Sequence, residues 1–248
     1  MKVAVLSLTR DRAEYTRHCF EQLELLAGCD YDHYVLDQAS TDGTLEWLFG
    51  WSSGRTLERW RAVVARPDNI GIHRGMNALL ANVAFADRRR KPYDVVVKLD
   101  NDCELVEPDT LRRCCEVALE LDAIVSPEIH GLRGVKFPID YDLTVEASSG
   151  VLGCRPMIGG IFMAIPATVF TERGYRFDEH APLWGTDDDR LCDWFRHDRP
   201  IDPSKDGYGH GWVGYLVGCR ANHFETTDGQ HERFPGYFDR RVAEGGPV

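Results

Sequence analysis

Within residues 1–105 the chain switches repeatedly between runs of strand character and segments of helical period, and a polar cluster stands at the end of every strand-like run. Lys2 to Leu8 is a short β-rich run, and from Ala13 to Leu26 the apolar positions Tyr15, Cys19, Phe20, Leu23 and Leu26 recur at helical spacing. His33 to Leu36 predicts a second strand, and Ser40-Thr41-Asp42 offers N-cap chemistry for a helix from about Thr44 to Phe49. Arg61 to Ala65 predicts a third strand, and Gly71 to Ala86 a helix with Met76, Leu79, Leu80 and Val83 on one face. Asp94 to Leu99 is a fourth strand, whose consecutive Val95, Val96 and Val97 suit a strand covered on both faces. Alternation of this kind predicts an α/β fold with a mostly parallel sheet, right-handed crossovers and flanking helices. Such sheets bind ligands at the carboxyl ends of their strands.

Composition narrows the setting. A chain of 248 residues, 43% hydrophobic and 28% charged, is sized for one large domain with its own core. Its longest apolar runs, such as Val3 to Leu6 and Ile161 to Ile165, fall far short of the roughly 20 residues a spanning helix needs, so no stable membrane insertion is expected. The apolar hexad at 3–8 runs straight into Arg10, Asp11 and Arg12 without a small-residue cleavage site, and reads as a first strand. The eight cysteines show no CxxC pair, which predicts reduced thiols and a cytoplasmic setting in place of a disulfide framework or zinc cage. A formal charge of −11 argues against a broad electrostatic grip on nucleic acid or anionic lipid. The basic run Arg88-Arg89-Arg90-Lys91 reads as a solvated loop between a helix and a strand.

The polar clusters share one rim. They are Thr9-Arg10-Asp11-Arg12, then Asp37-Gln38-Ala39-Ser40-Thr41-Asp42-Gly43, then Arg66-Pro67-Asp68-Asn69-Ile70-Gly71, then Asp100-Asn101-Asp102. One such loop would be ordinary turn chemistry. Four in succession describe a crevice with carboxylates for a divalent cation, arginines for phosphate, and short polar groups for ribose and base.

These blocks, together with Arg74-Gly75-Met76-Asn77, resemble in order and spacing glycosyltransferase family 2, a large group of GT-A fold, over residues 1 to about 105. The resemblance implies a single GT-A domain over 1–248, with a nucleotide-sugar half at 1–105 and a smaller mixed-strand acceptor and catalytic half at 106–248. It implies that Thr9, Arg10 and Arg12 line the nucleotide pocket, that Asp37 meets the nucleobase or ribose, and that Asn69, Gly71 and Arg74 close over them. Asp100 and Asn101 would face the donor, Asp100 also the metal's water shell, and Asp102 would ligate Mn²⁺ or Mg²⁺ directly. Two plainer readings stay open: Asp42 as a helix cap, and Gly71 as a residue present for close packing alone.

Three later stretches carry chemistry. Pro156 to Pro166 reads as a central strand whose Gly159-Gly160 pair admits a close backbone approach, and by resemblance Gly160 lies beneath the donor sugar. Phe177-Asp178-Glu179 and then Trp184-Gly185-Thr186-Asp187-Asp188-Asp189 are similar to the family's aromatic-acid pair and Gly-Glu-Asp-x-Asp helix start, which makes Asp187 the general base of an inverting transfer and Asp188 its alternative. Thr186 departs from the family's Glu, and three acids at a helix start also favour its dipole. His223, after the strand-like Trp212 to Val217, matches a C-terminal metal ligand, with His210 and His231 as alternatives. The flanking stretches 205–211 and 226–236, rich in Gly, Asp and His, read as lids that order with donor.

The expected activity is inverting transfer of a sugar from a nucleoside-diphosphate donor, UDP favoured, to an acceptor hydroxyl of a saccharide, glycoconjugate or, as a minor option, a hydroxymethylated base in nucleic acid. Two rivals are a sugar-phosphate nucleotidyltransferase, against which the absence of Gly in Thr9 to Arg12 counts, and a catalytically idle sugar-nucleotide-binding protein.

Overall fold

The computed structural model describes residues 1–54, 60–85, 92–132, 135–197, 211–225 and 227–245. Ala86, the basic run at 88–91, His210 and the 205–210 part of the first lid stretch lie outside them. The first half follows the expected alternation: β1 (Val3–Thr9), α1 (Ala13–Leu26), β2 (Tyr31–Gln38), α2 (Thr44–Ser53), β3 (Arg61–Arg66), α3 (Gly71–Phe85) and β4 (Val95–Leu99). There follow β5 (Cys103–Leu105), α4 (Thr110–Leu121), β6 (Ala123–His130), β7 (Leu143–Ala147), β8 (Gly150–Cys154) and β9 (Phe162–Pro166). The chain ends with α5 (Thr168–Thr171), α6 (Asp187–His197), β10 (Trp212–His223), α7 (Thr227–Arg233) and α8 (Pro235–Ala243).

All ten strands join one sheet in the order β3-β2-β1-β4-β9-β6-β10-β8-β7, with β5 paired to β10. β3, β2, β1 and β4 are parallel, as are β6 and β10, while β9 runs antiparallel between β4 and β6. The chain builds outward from β1 to β3 and then returns to lay β4 on the other side of β1. That reversal opens a crevice at the carboxyl ends of β1 and β4, where an open α/β sheet takes its ligand.

Period-two alternation sorts the core into two layers. Val3, Val5, Val95 and Val97 pack with Leu23 of α1 and Leu111, Cys114, Cys115 and Ala118 of α4. Ala4, Leu6 and Val96 pack on the opposite face with Met76 and Leu79 of α3 and Leu191, Cys192 and Phe195 of α6. A smaller cluster of Phe20, Val35 and Leu48 secures α2. All eight cysteines are thiols, none joined in a disulfide. Among the described residues no helix is long and apolar enough to cross a membrane.

One expected element is corrected. The strand predicted from Pro156 begins only at Phe162, because the backbone at Gly160 turns aside to accept from Lys98 and to donate to Asp188 at 2.8 Å. The lid stretch after residue 226 is largely helical, as α7 and the start of α8. Gln230 of α7, 1% exposed, anchors it by donating to the Phe224 carbonyl at 2.7 Å.

Candidate active site

A cavity of about 300 Å³ occupies the crevice, lined by Thr9, Arg10 and Arg12 beyond β1, by Asp100, Asn101 and Asp102 beyond β4, and by His223 at the end of β10. Gln38, Trp184, Gln230, Tyr237 and Arg241 also line it, with apolar residues such as Leu8, Ile72 and Phe238 between them. Residues that are distant in sequence converge here for local reasons. Asp11 and Arg12 both adopt left-handed backbone, with φ of 55° and 65°, and so turn the chain from β1 into α1 with the Arg12 side chain aimed inward. In β10, Leu216 and Arg220 stand opposite the adjacent Pro127 and Glu128, a bulge that lets the strand leave β8 and pair its last residues with β5. His223 thereby stands opposite Cys103, next to Asp102.

Arg12 is the hub. Its Nη1 donates to Asp102 Oδ2 and to Gln230 Oε1, each at 2.8 Å, and its Nη2 to Asn101 Oδ1 at 2.9 Å. The Tyr237 ring lies 4.6 Å from the guanidinium carbon. Asn101 passes the network on, donating to Thr16 Oγ1 at 2.9 Å. His223 Nε2 lies 3.3 Å from the same Asp102 oxygen, and its Nδ1 is buried without a hydrogen-bond partner among the described residues. Burial works against charge on Asp102, yet Arg12 and His223 outweigh it and hold the carboxyl well below the usual carboxylate range. Asp102 is therefore an anion at neutral pH.

The donor set suits a hard divalent ion that takes its remaining ligands from a substrate. Asp102 Oδ2 and His223 Nε2 face one another on the cavity wall with Asp100 beside them, although no group of three or more His, Cys, Asp or Glu converges as a closed cage among the described residues. Mg²⁺ and similar ions are commonly held by one or two carboxylates together with substrate phosphates. Arg12 already shares the Asp102 oxygen, so an incoming cation would compete with or displace part of that ion pair.

A second cluster lies behind the cavity. Lys98, in β4, is 4% exposed and donates to Asp100 Oδ1 at 2.8 Å and to the Gly160 carbonyl. Its ammonium is also 3.3 Å from Asp187 Oδ2, an ion pair that falls short of hydrogen-bond geometry and leaves that buried oxygen without a hydrogen bond among the described residues. Burial disfavours the ammonium, but Asp100 and Asp187 reverse this and push Lys98 upward, so it is charged. The Asp100 side chain is 40% exposed. Withdrawal from water raises its pKa, Lys98 opposes the rise, and the Asp102 charge adds to it. Asp188 is raised by burial and by the Asp187 charge, and accepts from Gly160 N at 2.8 Å. Thr186, with φ of 64°, turns the chain into α6 immediately before both acids.

The remaining predicted residues scatter around this centre. Asp37 is fully buried and does not line the cavity; it accepts from Thr9 Oγ1 at 3.0 Å and from the Ser40 amide and hydroxyl, while its neighbour Gln38 faces the cavity. Asp42 accepts from the amides of Ala13 and Thr44, the first residues of α1 and α2, which is the capping role. Asn69 holds the Gly71 amide at 3.0 Å and donates to Glu244 at 2.9 Å. Arg74 donates to the Glu179 carbonyl at 2.8 Å and stands apart from the cavity lining. Arg10 lines the cavity and pairs with Glu244 at 2.5 Å. His231 stacks on Phe238 at 3.7 Å.

Solved structures share this architecture. S. aureus TarS 1-349 in complex with UDP-GlcNAc superposes with a TM-score of 0.61 at 13% identity, over 90% of this chain and 58% of that one. The mannosyltransferase PcManGT from Pyrobaculum calidifontis, in complex with GDP-Man and Mn²⁺, superposes at 0.62 with 15% identity, over 98% and 62%. GalNAc-T7 with UDP, GalNAc and Mn²⁺ superposes at 0.64 with 12% identity, over 92% and 45%. The chain has the GT-A glycosyltransferase fold. It spans less than two thirds of the length of any of the three, and at these identities the GT-A fold is what the likeness establishes. No family model matches the sequence, and no curated protein matches it in sequence.

Within the GT-A crevice several residues were not anticipated. Gln230, Tyr237 and Arg241 come from the C-terminal helices, whose return to the crevice has no local signal. Lys98 did have one: a lysine inside the otherwise apolar Val95 to Leu99.

Proposed function

We propose that this chain is an inverting glycosyltransferase that moves a sugar from a nucleoside-diphosphate donor, UDP favoured, to an acceptor hydroxyl with the aid of Mn²⁺ or Mg²⁺. Residues 1–105 would take the donor and residues 106–248 the acceptor. The reading is carried by one observation: Asp102 Oδ2 and His223 Nε2, 3.3 Å apart, face a cavity that Arg10 and Arg12 also line, at the switch point of a GT-A sheet. A divalent ion bound there would neutralise charge on the departing diphosphate.

The chain's own residues supply the rest. Arg10 and Arg12 offer guanidinium donors to phosphate oxygens, the residue type suited to that geometry. Thr9, Gln38, Asp100 and Asn101 present polar atoms to ribose, base and sugar. Asp187, the first residue of α6, takes the acceptor proton as the new glycosidic bond forms, and the diphosphate leaves from the opposite face. Its Oδ2 accepts no hydrogen bond among the described residues. Asp188, tied to the Gly160 amide, is the alternative base. The acceptor is a saccharide or glycoconjugate in preference to nucleic acid, given the net charge of −11. The eight thiols favour a reducing cytoplasm.

The test is a melting-temperature survey with a panel of nucleoside-diphosphate sugars and Mn²⁺, followed by assay of the stabilising donor for slow hydrolysis. One donor should raise the melting temperature and be hydrolysed. Asp102→Ala should abolish both responses, whereas Asp187→Asn should bind and keep only a small residual turnover. Full turnover in Asp187→Asn would remove it as the base, and pyrophosphate release from a nucleoside triphosphate would replace the whole reading with nucleotidyl transfer.

A further inference from the structure

β4 is buried along its whole length, and Lys98 sits in it between Leu6 of β1 and Met163 of β9. A lysine is among the costliest residues to place there, because an unpaired ammonium taken out of water loses several kcal/mol. Its presence demands partners, and the partners are specific. The ammonium donates to Asp100 Oδ1 at 2.8 Å and to the Gly160 carbonyl, and lies 3.3 Å from Asp187 Oδ2. One group thus joins the end of β4, the turn before β9 and the first residue of α6.

Gly160 makes room for this junction. A Cβ built there would lie 3.1 Å from Lys98 Nζ, 3.1 Å from Asp188 Cβ and 3.4 Å from Asp187 Oδ2, tighter than most side chains tolerate on two sides at once. Asp100 faces the cavity, whereas Asp187 is 4% exposed behind it. Without a cation between them the two carboxylates would repel, and α6 would lose its ion pair to β4, the strand that leads into the donor-site acids.

We propose that Lys98 is a positioning residue that couples the donor site to the catalytic base, holding Asp100 and Asp187 in one rigid arrangement across Gly160. This rests on the assignment of Asp187 as base under the proposed function. Lys98 does not line the cavity. It acts by fixing where Asp187 stands relative to the sugar held beside Asp100, and misplacements of about 1 Å are enough to slow chemistry roughly 10²-fold.

The test is a double-mutant cycle on the full chain with Lys98→Met, Asp187→Asn and both together, read as melting temperature and as kcat and KM for hydrolysis of the donor found above. Lys98→Met should lower kcat by roughly 10²-fold with KM nearly unchanged. In the Asp187→Asn background the same change should cost no further kcat, because the group it positions is already gone. Melting temperature should fall in each single variant and recover in part in the double. If Lys98→Met does not fold, Lys98→Arg supplies the second reading: the charge is kept but the spacing changes, so donor binding should persist while kcat falls. Multiplicative kcat losses, or wild-type kcat in either Lys98 variant, would overturn the inference. A wild-type chain that hydrolyses no donor would instead defeat the proposed function, and the melting cycle would then decide the Lys98–Asp187 tie alone, with strict additivity counting against it.

Discussion

Arg12 and Asp102, ninety residues apart in sequence, meet through a 2.8 Å ion pair in which both side chains are about nine-tenths buried. The pair joins the turn after β1 to the turn after β4 across the switch point, so stability and donor binding share one contact. Removing one partner strands the other charge, which for buried pairs costs about 3–5 kcal/mol. Arg12→Met should therefore lower the melting temperature strongly and remove donor binding, and adding Asp102→Asn should restore stability but not binding. The pH dependence follows from a depressed folded-state pKa of Asp102. Such a group contributes stability that is full above its unfolded value, about 3.9, and is lost as pH falls through the folded one. The stability gap between wild type and Asp102→Asn should be constant near neutrality and shrink in acid; a gap that grows in acid would contradict the assignment.

Glu244 ties the C-terminal end of the described chain to the donor rim through Arg10 at 2.5 Å and Asn69 at 2.9 Å. The Arg10 hydrogen bond depresses the Glu244 carboxyl, with burial opposing it. The tie is present above the unfolded value of about 4.3 and released as pH falls through the folded value. Both side chains of the Arg10–Glu244 pair are largely covered, at 16% and 27% exposed, so Glu244→Gln should lower global stability by about 1 kcal/mol. It should speed amide exchange across α8, which the same variant without any change in exchange would refute.

How much of this was legible depended on the range of the interactions. The parallel half could be read because each strand and helix announces its period locally: Val95-Val96-Val97 requires cover on two faces, and Tyr15, Cys19 and Leu23 mark one face of α1. The rim then followed, and Arg12, Asp100, Asp102 and His223 do line one cavity. Asp37 was harder, because nothing in its neighbourhood says that Thr9 and Ser40 fill both its oxygens. Phe162 as the true start of β9 depends on Gly160 serving Lys98 and Asp188, contacts made across 62 and 28 residues. The path of β10 depends on a bulge that exchanges β8 for β5, a long-range choice that a local pattern cannot encode.

His223 tests the cation site separately from the Asp102 anion. Its Nδ1 has no hydrogen-bond partner among the described residues, and its Nε2 stands 3.3 Å from both Asp102 Oδ2 and Gln230 Nε2 at the cavity wall. In the presence of a nucleoside diphosphate, Mn²⁺ should raise the wild-type melting temperature with a concentration dependence that reports its affinity. His223→Ala should weaken that affinity by at least about tenfold, since changes even to outer-shell partners of a metal ligand do so. An unchanged manganese titration in His223→Ala would remove His223 from the ligand set and leave the carboxylates of Asp102 and Asp100 as the candidates.

Gly71 links the donor rim to the segment that leads into α6, and its substitution has a predictable sign. Its φ is +82°, a region that side chains disfavour, and a Cβ there would stand 2.7 Å from Leu183 Cα and 2.9 Å from the Leu183 carbonyl oxygen. The obstacle is backbone, held in place by the Ile72 amide donating to that same carbonyl at 3.0 Å, so no rotamer change relieves the clash. Leu183 adjoins Trp184, which lines the cavity, and Thr186, whose left-handed turn sets up Asp187. Gly71→Ala should therefore cost about 1–3 kcal/mol from backbone strain and displace the approach to α6. Lower melting temperature should be accompanied by a fall in kcat larger than the change in donor affinity, because Trp184 contributes one wall of the cavity while Asp187 depends on the whole turn. A variant with wild-type stability and turnover would mean that this glycine is there for neither reason.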